Sequence, residues 1–156
     1  MRASLTALLG IMCLVLFTGC APKFQVAVPD GWTVAKELNN EQIQAKLIVN
    51  EKEEVAIKVF CLPAGKVTVE DQTNQLLDSL KQAGAEVVEQ VIAPDKSSAR
   101  VVFKDDDPQA KVAGRFVAKT SSRQGRVLVI FGYWPADKDA VAAPAFDQIA
   151  KSADFK

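Results

Sequence analysis

Three kinds of side chain in this sequence could do chemistry: the cysteines Cys13, Cys20 and Cys61, the carboxylate run Asp105-Asp106-Asp107, and the aromatics Trp32, Tyr133 and Trp134. The 156 residues contain no His, and Lys+Arg and Asp+Glu balance at 19 each. Without His there is no Ser-His-Asp or Cys-His catalysis and no His-containing zinc site. Balanced charge, with no block of five like charges, leaves no basic footprint for nucleic acid. No phosphate-binding glycine loop, nucleophile elbow, S-x-x-K or C-x-x-C occurs, so the expectation is a protein that is not an enzyme and needs no cofactor. Asp105, Asp106 and Asp107 are adjacent rather than spaced as a Ca²⁺ loop requires, and Pro108 follows, so they read as a solvated hairpin tip and no metal site is assigned. Trp32, Tyr133 and Trp134 read as core rather than as a binding surface, with Tyr133 continuing the face of Val129 and Phe131.

The cysteines divide by position. Met1 and Arg2 open the chain, Leu5 to Phe17 carries no charge, and Thr18-Gly19-Cys20 follows, the three-part pattern of an export signal. The apolar run is shorter than the ~18 to 20 residues of a spanning helix. Leu16-Phe17-Thr18-Gly19-Cys20 resembles the bacterial lipobox, which implies a diacylglyceryl group, palmitate-like chains and cleavage before Cys20. Residues 1–19 are then a removed lipoprotein signal peptide, 20–23 a short tether, and 24–156 one globular domain. Two or three acyl chains anchor stably where one does not. Cys13 leaves with the signal, so Cys61 has no disulfide partner; it alternates with Val55, Ile57 and Val59 and reads as a small buried hydrophobe.

The elements that position these residues are mostly extended. Phe24 to Val28 and Trp32 to Val34, joined by Pro29-Asp30-Gly31, give a hairpin signal with Gly31 at positive φ. Strands are expected at 44–49, 55–62, 86–92, 99–104, 110–120 and 126–134. The run Val127 to Phe131 is apolar on both alternating faces and should be a central strand covered from both sides. Val69, Leu76, Leu77, Leu80 and Ala83 share a helical face, with Thr68 as N-cap and Gly84 as stop. A second helix is expected over Asp137 to Ser152 with Val141, Phe146 and Ile149 inward, where Pro144 either kinks it or opens a shorter helix. The class is therefore α+β, an antiparallel sheet of about six to eight strands covered by two main helices.

This order, together with Phe24-Gln25-Val26-Ala27-Val28-Pro29-Asp30-Gly31-Trp32 and a closing strand, Pro135 and helix, resembles the PsbP-like α/β/α sandwich that also includes DcrB-like bacterial lipoproteins. The resemblance implies a binding or accessory module and carries over no partner and no metal ligands. The function expected is a lipid-anchored interaction module facing the periplasm, attached to a membrane through Cys20 and assisting another envelope protein. The alternative is a carrier holding a small apolar ligand or lipid between sheet and helix. Ala21 after the cysteine points to the outer rather than the inner membrane where a cell has both. If successive elements reverse direction, Lys23, Lys66, Lys96, Arg123 and Arg126 collect at the membrane end, against Glu41 and Asp95. Asp30, Glu51 to Glu54, Asp105, Asp106, Asp107 and Asp137 then collect at the far end, where Asp30 and Asp105 to Asp107 are candidate partner-facing residues.

Overall fold

The computed structural model describes residues 23–39, 44–62, 67–107, 111–120 and 126–155. Strands β1 (Phe24–Gln25), β2 (Thr33–Asn39), β3 (Gln44–Asn50) and β4 (Val55–Leu62) lead to helix α1 (Val69–Ala83). Then follow β5 (Glu86–Ile92), β6 (Ser98–Asp105), β7 (Val112–Thr120) and β8 (Val127–Pro135), a 3-10 turn (Ala136–Lys138), helix α2 (Asp139–Ser152) and β9 (Asp154–Phe155). Seven strands pair antiparallel in the order β2-β3-β4-β8-β7-β6-β5. The strand that is apolar on both faces, β8, is therefore fourth of seven, with Val127 to Ile130 buried.

Side-chain alternation explains the layers. Along β4, Val55, Ile57, Val59 and Cys61 are buried on one face, whereas Ala56, Lys58, Phe60 and Leu62 point to the other. The first set packs with Ile48, Leu128, Ile130 and Trp134 under α2, which contributes Ala142, Phe146 and Ile149. On the opposite face α1 packs over β5, β6 and β7, closing a second core of Val69, Leu76, Leu80, Val101, Phe103 and Phe116.

Helix α1 starts and stops as its sequence dictates. Thr68 Oγ1 accepts the Asp71 N–H at 3.0 Å and Asp71 Oδ2 accepts the Thr68 N–H at 3.0 Å, a reciprocal cap. At the other end Gly84 (φ 78°) donates to Lys81 and Ala85 donates to Leu80, satisfying carbonyls of the last turn. Gln72 and Thr73 also sit on the buried face; Thr73 Oγ1 donates to the Val69 carbonyl at 2.7 Å and so carries its own partner inward.

Three expectations are corrected. The Pro29 to Trp32 turn forms, with Gly31 at φ 78° and the Trp32 N–H on the Pro29 carbonyl, but its arms do not pair as a hairpin. Strand β1 pairs with β9 (Phe24 opposite Phe155), and β2 pairs with β3. Burial wins over local pairing: Phe24, Val26, Val28 and Trp32 pack into the α2 core, and the Phe24 N–H is taken by buried Gln44 Oε1 at 2.7 Å. Helix α2 runs from Asp139 to Ser152 through Pro144, which is exposed and lies in its second turn, so Pro144 does not open a shorter helix. Val141, expected inward, is 42% exposed, because Ala142, Ala143 and Ala145 take the core face and let the helix approach the sheet closely. The two end strands β2 and β5 are exposed throughout, and each carries a register shift, between Val34 and Lys36 and between Val87 and Glu89. Such bulges blunt sheet edges against unwanted pairing.

Candidate functional site: an open quadrant of the sheet

One helix about 10 Å across cannot cover seven strands spaced ~4.8 Å apart. On the α1 face the helix packs over β5, β6 and β7 and its core extends to Val127 and Val129 of β8, whereas the rest of β8 and β4, β3 and β2 continue beyond it. Register shows the change. One row across the sheet runs Val101, Phe116, Phe131, Lys58, Leu47, Lys36, and the next runs Ala99, Ala118, Val129, Phe60, Ala45, Leu38. The first members are buried under α1, whereas Leu47, Ala45 and Phe60 are half-buried, Lys36 and Lys58 are exposed, and Leu38 is 49% exposed. The apolar surface thus runs past the helix into solvent.

Its boundary is an aromatic band. Phe103 and Phe131 stack with centroids 6.1 Å apart, and Phe131 meets Tyr133 at 6.0 Å. Phe103 on β6 reaches β8 because the intervening residue of β7 is Gly114, directly opposite both Phe103 and Tyr133. A Cβ at Gly114 would overlap the Phe103 ring. Beyond the band lies an open groove of about 710 Å³ floored by Ala56, Phe131 and Tyr133, with Lys58 and Lys111 on its flanks and Glu54 and Asp137 at its rim. No residue of either helix lines it, so it is not the sheet-to-helix cavity expected of a carrier. Lys36, Lys58 and Lys111 have no ion pair among the described residues.

The residues singled out from sequence fall elsewhere. Cys20 lies outside the described residues. Cys61 is 1% exposed and burial pushes its thiol pKa up to about 12, which keeps it protonated and unreactive. Trp32 and Trp134 are core; the Trp134 ring packs on Phe146 and its Nε1–H donates to Asp139 Oδ1 at 3.0 Å. Tyr133 faces the groove on the opposite side of the sheet. Asp105, Asp106 and Asp107 do occupy the β6–β7 turn: Asp105 Oδ1 accepts the Asp107 N–H at 3.0 Å, and Asp106 lies 3.3 Å from Lys104 Nζ. No group of three His, Cys, Asp or Glu among the described residues could hold a metal.

Strand directions bring Asp30, Glu51 to Glu54, Asp105 to Asp107 and Asp137 to one end of the sheet, since Thr33 pairs Val49, Asn50 pairs Val55, and Val112 pairs both Asp105 and Pro135. They do not form one site. Asp30 precedes the first strand in the order and Asp105 ends the sixth, roughly 24 Å apart at ordinary strand spacing. Glu53 there is held below the usual carboxylate range by its hydrogen bond to Lys138 at 3.0 Å. At the opposite end are Lys23, Lys96 and Arg126, while Lys66 and Arg123 lie outside the described residues, and Lys96 is matched by Glu70 of the first turn of α1 at 2.8 Å. That pairing dilutes the basic end, because the α1 N-terminus brings its own carboxylates to it.

The sequence alone did not mark Lys36, Leu47 and Lys58. The signal that could have is the unlike composition of the two faces of β4, one Val-Ile-Val-Cys and the other Ala-Lys-Phe-Leu.

No family model matches the sequence, and no curated protein does. Solved structures do share the architecture. LpqN of Mycobacterium tuberculosis, described as involved in cell envelope biogenesis, superposes with a TM-score of 0.59 at 13% identity over 86% of this chain and 84% of its own. Cyanobacterial PsbP from Synechocystis superposes with a TM-score of 0.54 at 13% identity, over 94% of this chain and 100% of its own. With a seven-stranded antiparallel sheet between two helices, the chain has the PsbP-like α/β/α fold.

Proposed function

We propose that the protein is a lipid-anchored, non-enzymatic accessory module of the bacterial cell envelope, attached through Cys20 and engaging another envelope protein. The observation that carries this reading is the position of Lys23. It adjoins Phe24, which is bonded to Gln44 at the end of the sheet opposite the acidic turns. Three residues, Ala21 to Lys23, separate Cys20 from β1, a reach of about 10 Å. A domain tethered there keeps one end of its sheet beside the lipid and presents Asp30 and Asp105 to Asp107 outward. The envelope role described for LpqN, which shares the fold, supports the compartment, and Ala21 favours the outer membrane where there are two.

Membrane fractionation of Cys20→Ala tests it. The variant is expected to lose acylation and leave the membrane fraction, while Cys61→Ala stays attached. Retention of Cys20→Ala through an uncleaved Leu5 to Phe17 segment would overturn lipid anchoring.

A further inference from the structure

The exposed charges of the open α1-side quadrant, Lys36 and Lys58, are cations, and they stand on either side of Leu47. Lys36 is paired with Leu47 on β2, and Leu47 with Lys58 on β4, so the two ammonium groups rise from the same face two strands apart, ~9.6 Å at ordinary spacing. That separation matches the ~10 Å diameter of an α-helix. Between them runs the apolar line Ala45, Leu47, Val49 of β3, half-buried throughout. We propose that this quadrant is the seat for an amphipathic helix of a partner protein, lying along β3 beside α1. Its apolar stripe packs on Ala45, Leu47 and Val49, and its flanking carboxylates reach Lys36 on one side and Lys58 on the other.

Length agrees with width. Seven residues of β3 span ~23 Å, the length of a helix of about 15 residues or four turns, and α1 on the same face has 15. The adjoining groove offers one large partner side chain an aromatic floor at Phe131 and Tyr133, the kind of pocket in which interface energy concentrates. Charge decides between occupants. A second copy seated face to face would set Lys36 and Lys58 against the same lysines. An anionic membrane surface would meet the carboxylates of Glu54 and Asp137 on the groove rim. A helix with acidic flanks satisfies both lysines when its carboxylates sit at its middle, since Lys36 and Lys58 both stand opposite Leu47 at the centre of β3. This inference deepens the reading of the protein as an interaction module, and it moves the contact from the acidic end to the open sheet face.

The test uses the chain from residue 20, unacylated, with two labelled 16-residue peptides that share a Leu/Ala stripe but carry Glu or Lys on the flanks. Fluorescence anisotropy is expected to show the acidic peptide binding at least tenfold tighter than the basic one, with the preference reversed by Lys36→Glu together with Lys58→Glu. Leu47→Asp should abolish binding of either. Photo-crosslinking from position 47 in cells should land on a partner segment with apolar residues at helical spacing and Asp or Glu beside them. Equal binding of the two peptides, no binding of either, stronger capture by vesicles of anionic phospholipid through the same residues, or concentration-dependent dimerisation lost in Leu47→Asp would each overturn the proposal. Fractionation of Lys36→Glu/Lys58→Glu remains normal if only the docking claim fails, whereas failure of the anchoring claim shows in Cys20→Ala alone.

Discussion

Each helix covers part of one sheet face, and the two uncovered quadrants lie diagonally opposite one another with unlike chemistry. Beyond α1 the open surface shows Leu38, Ala45, Leu47 and Phe60 with Lys36 and Lys58, which have no ion pair among the described residues. Beyond α2, over β5 and β6, the open surface is closed upon itself by ion pairs. Arg100 lies 2.9 Å from Asp147 and 3.7 Å from Glu89, and Lys104 lies 3.2 Å from Glu86. Its apolar members include Val91, opposite Arg100 and 53% exposed, and half-buried Val102, and Val88 at the β5 bulge is 56% exposed. Surface ion pairs contribute little stability, yet they use up the charges that would recruit a partner. The difference teaches that exposure alone does not mark a docking face; unmatched charge beside continuous apolar surface does.

The largest expected effect tests whether the α1-side quadrant is truly open. Ile48 is fully buried under α2 while its neighbour Leu47 points the other way, so Ile48→Ala should cost about 3 to 4 kcal/mol and Leu47→Ala under ~1 kcal/mol in urea unfolding. Equal costs would mean that Leu47 is covered in solution. Next, Gly114→Val places a branched side chain against the Phe103 ring, itself 1% exposed, and should cost on the order of 2 to 3 kcal/mol while disturbing the Phe103–Phe131 stack. A melting temperature equal to the parent's would show the band to be loosely packed.

Smaller effects probe the self-paired quadrant and the acidic end. Arg100→Met removes two surface pairs and should shift stability by no more than about 0.5 to 1 kcal/mol, fading in high salt. A salt-independent loss would point to packing of the Arg100 stem instead. The smallest concerns Glu53, whose pKa is lowered by its hydrogen bond to Lys138 and then by the Lys138 charge. A carboxyl with a depressed folded-state pKa contributes stability above its unfolded pKa and loses it as pH falls through the folded one. The slight difference in melting temperature between the parent chain and Glu53→Gln should therefore vanish below the ordinary carboxylate range. A difference persisting in acid would exclude the ion pair as its source.

Much of the fold was legible because its signals are local. The alternation of Val55, Ile57, Val59 and Cys61, the Thr68 and Gly84 ends of α1 and the double-faced run of β8 each rest on residues close in sequence, and β4, α1 and β8 formed with bounds within about two residues of expectation. The end-to-end sorting of acidic turns also followed from strand reversal. The site was not legible. Lys36, Leu47 and Lys58 are brought into one row by two registers, and no single strand carries the pattern.

By itself, the sequence determined which residues alternate inward, where α1 is capped, and that Cys61 is buried, since all of these depend on side-chain type at short spacing. Only the tertiary structure decided that β1 leaves its apparent hairpin for β9, that Phe103 crosses Gly114 to reach Phe131, and that the α1 core ends at β8. These are choices between competing long-range burials. They turn on how much apolar surface each alternative removes from water, a quantity set by shapes that meet only when the chain has folded.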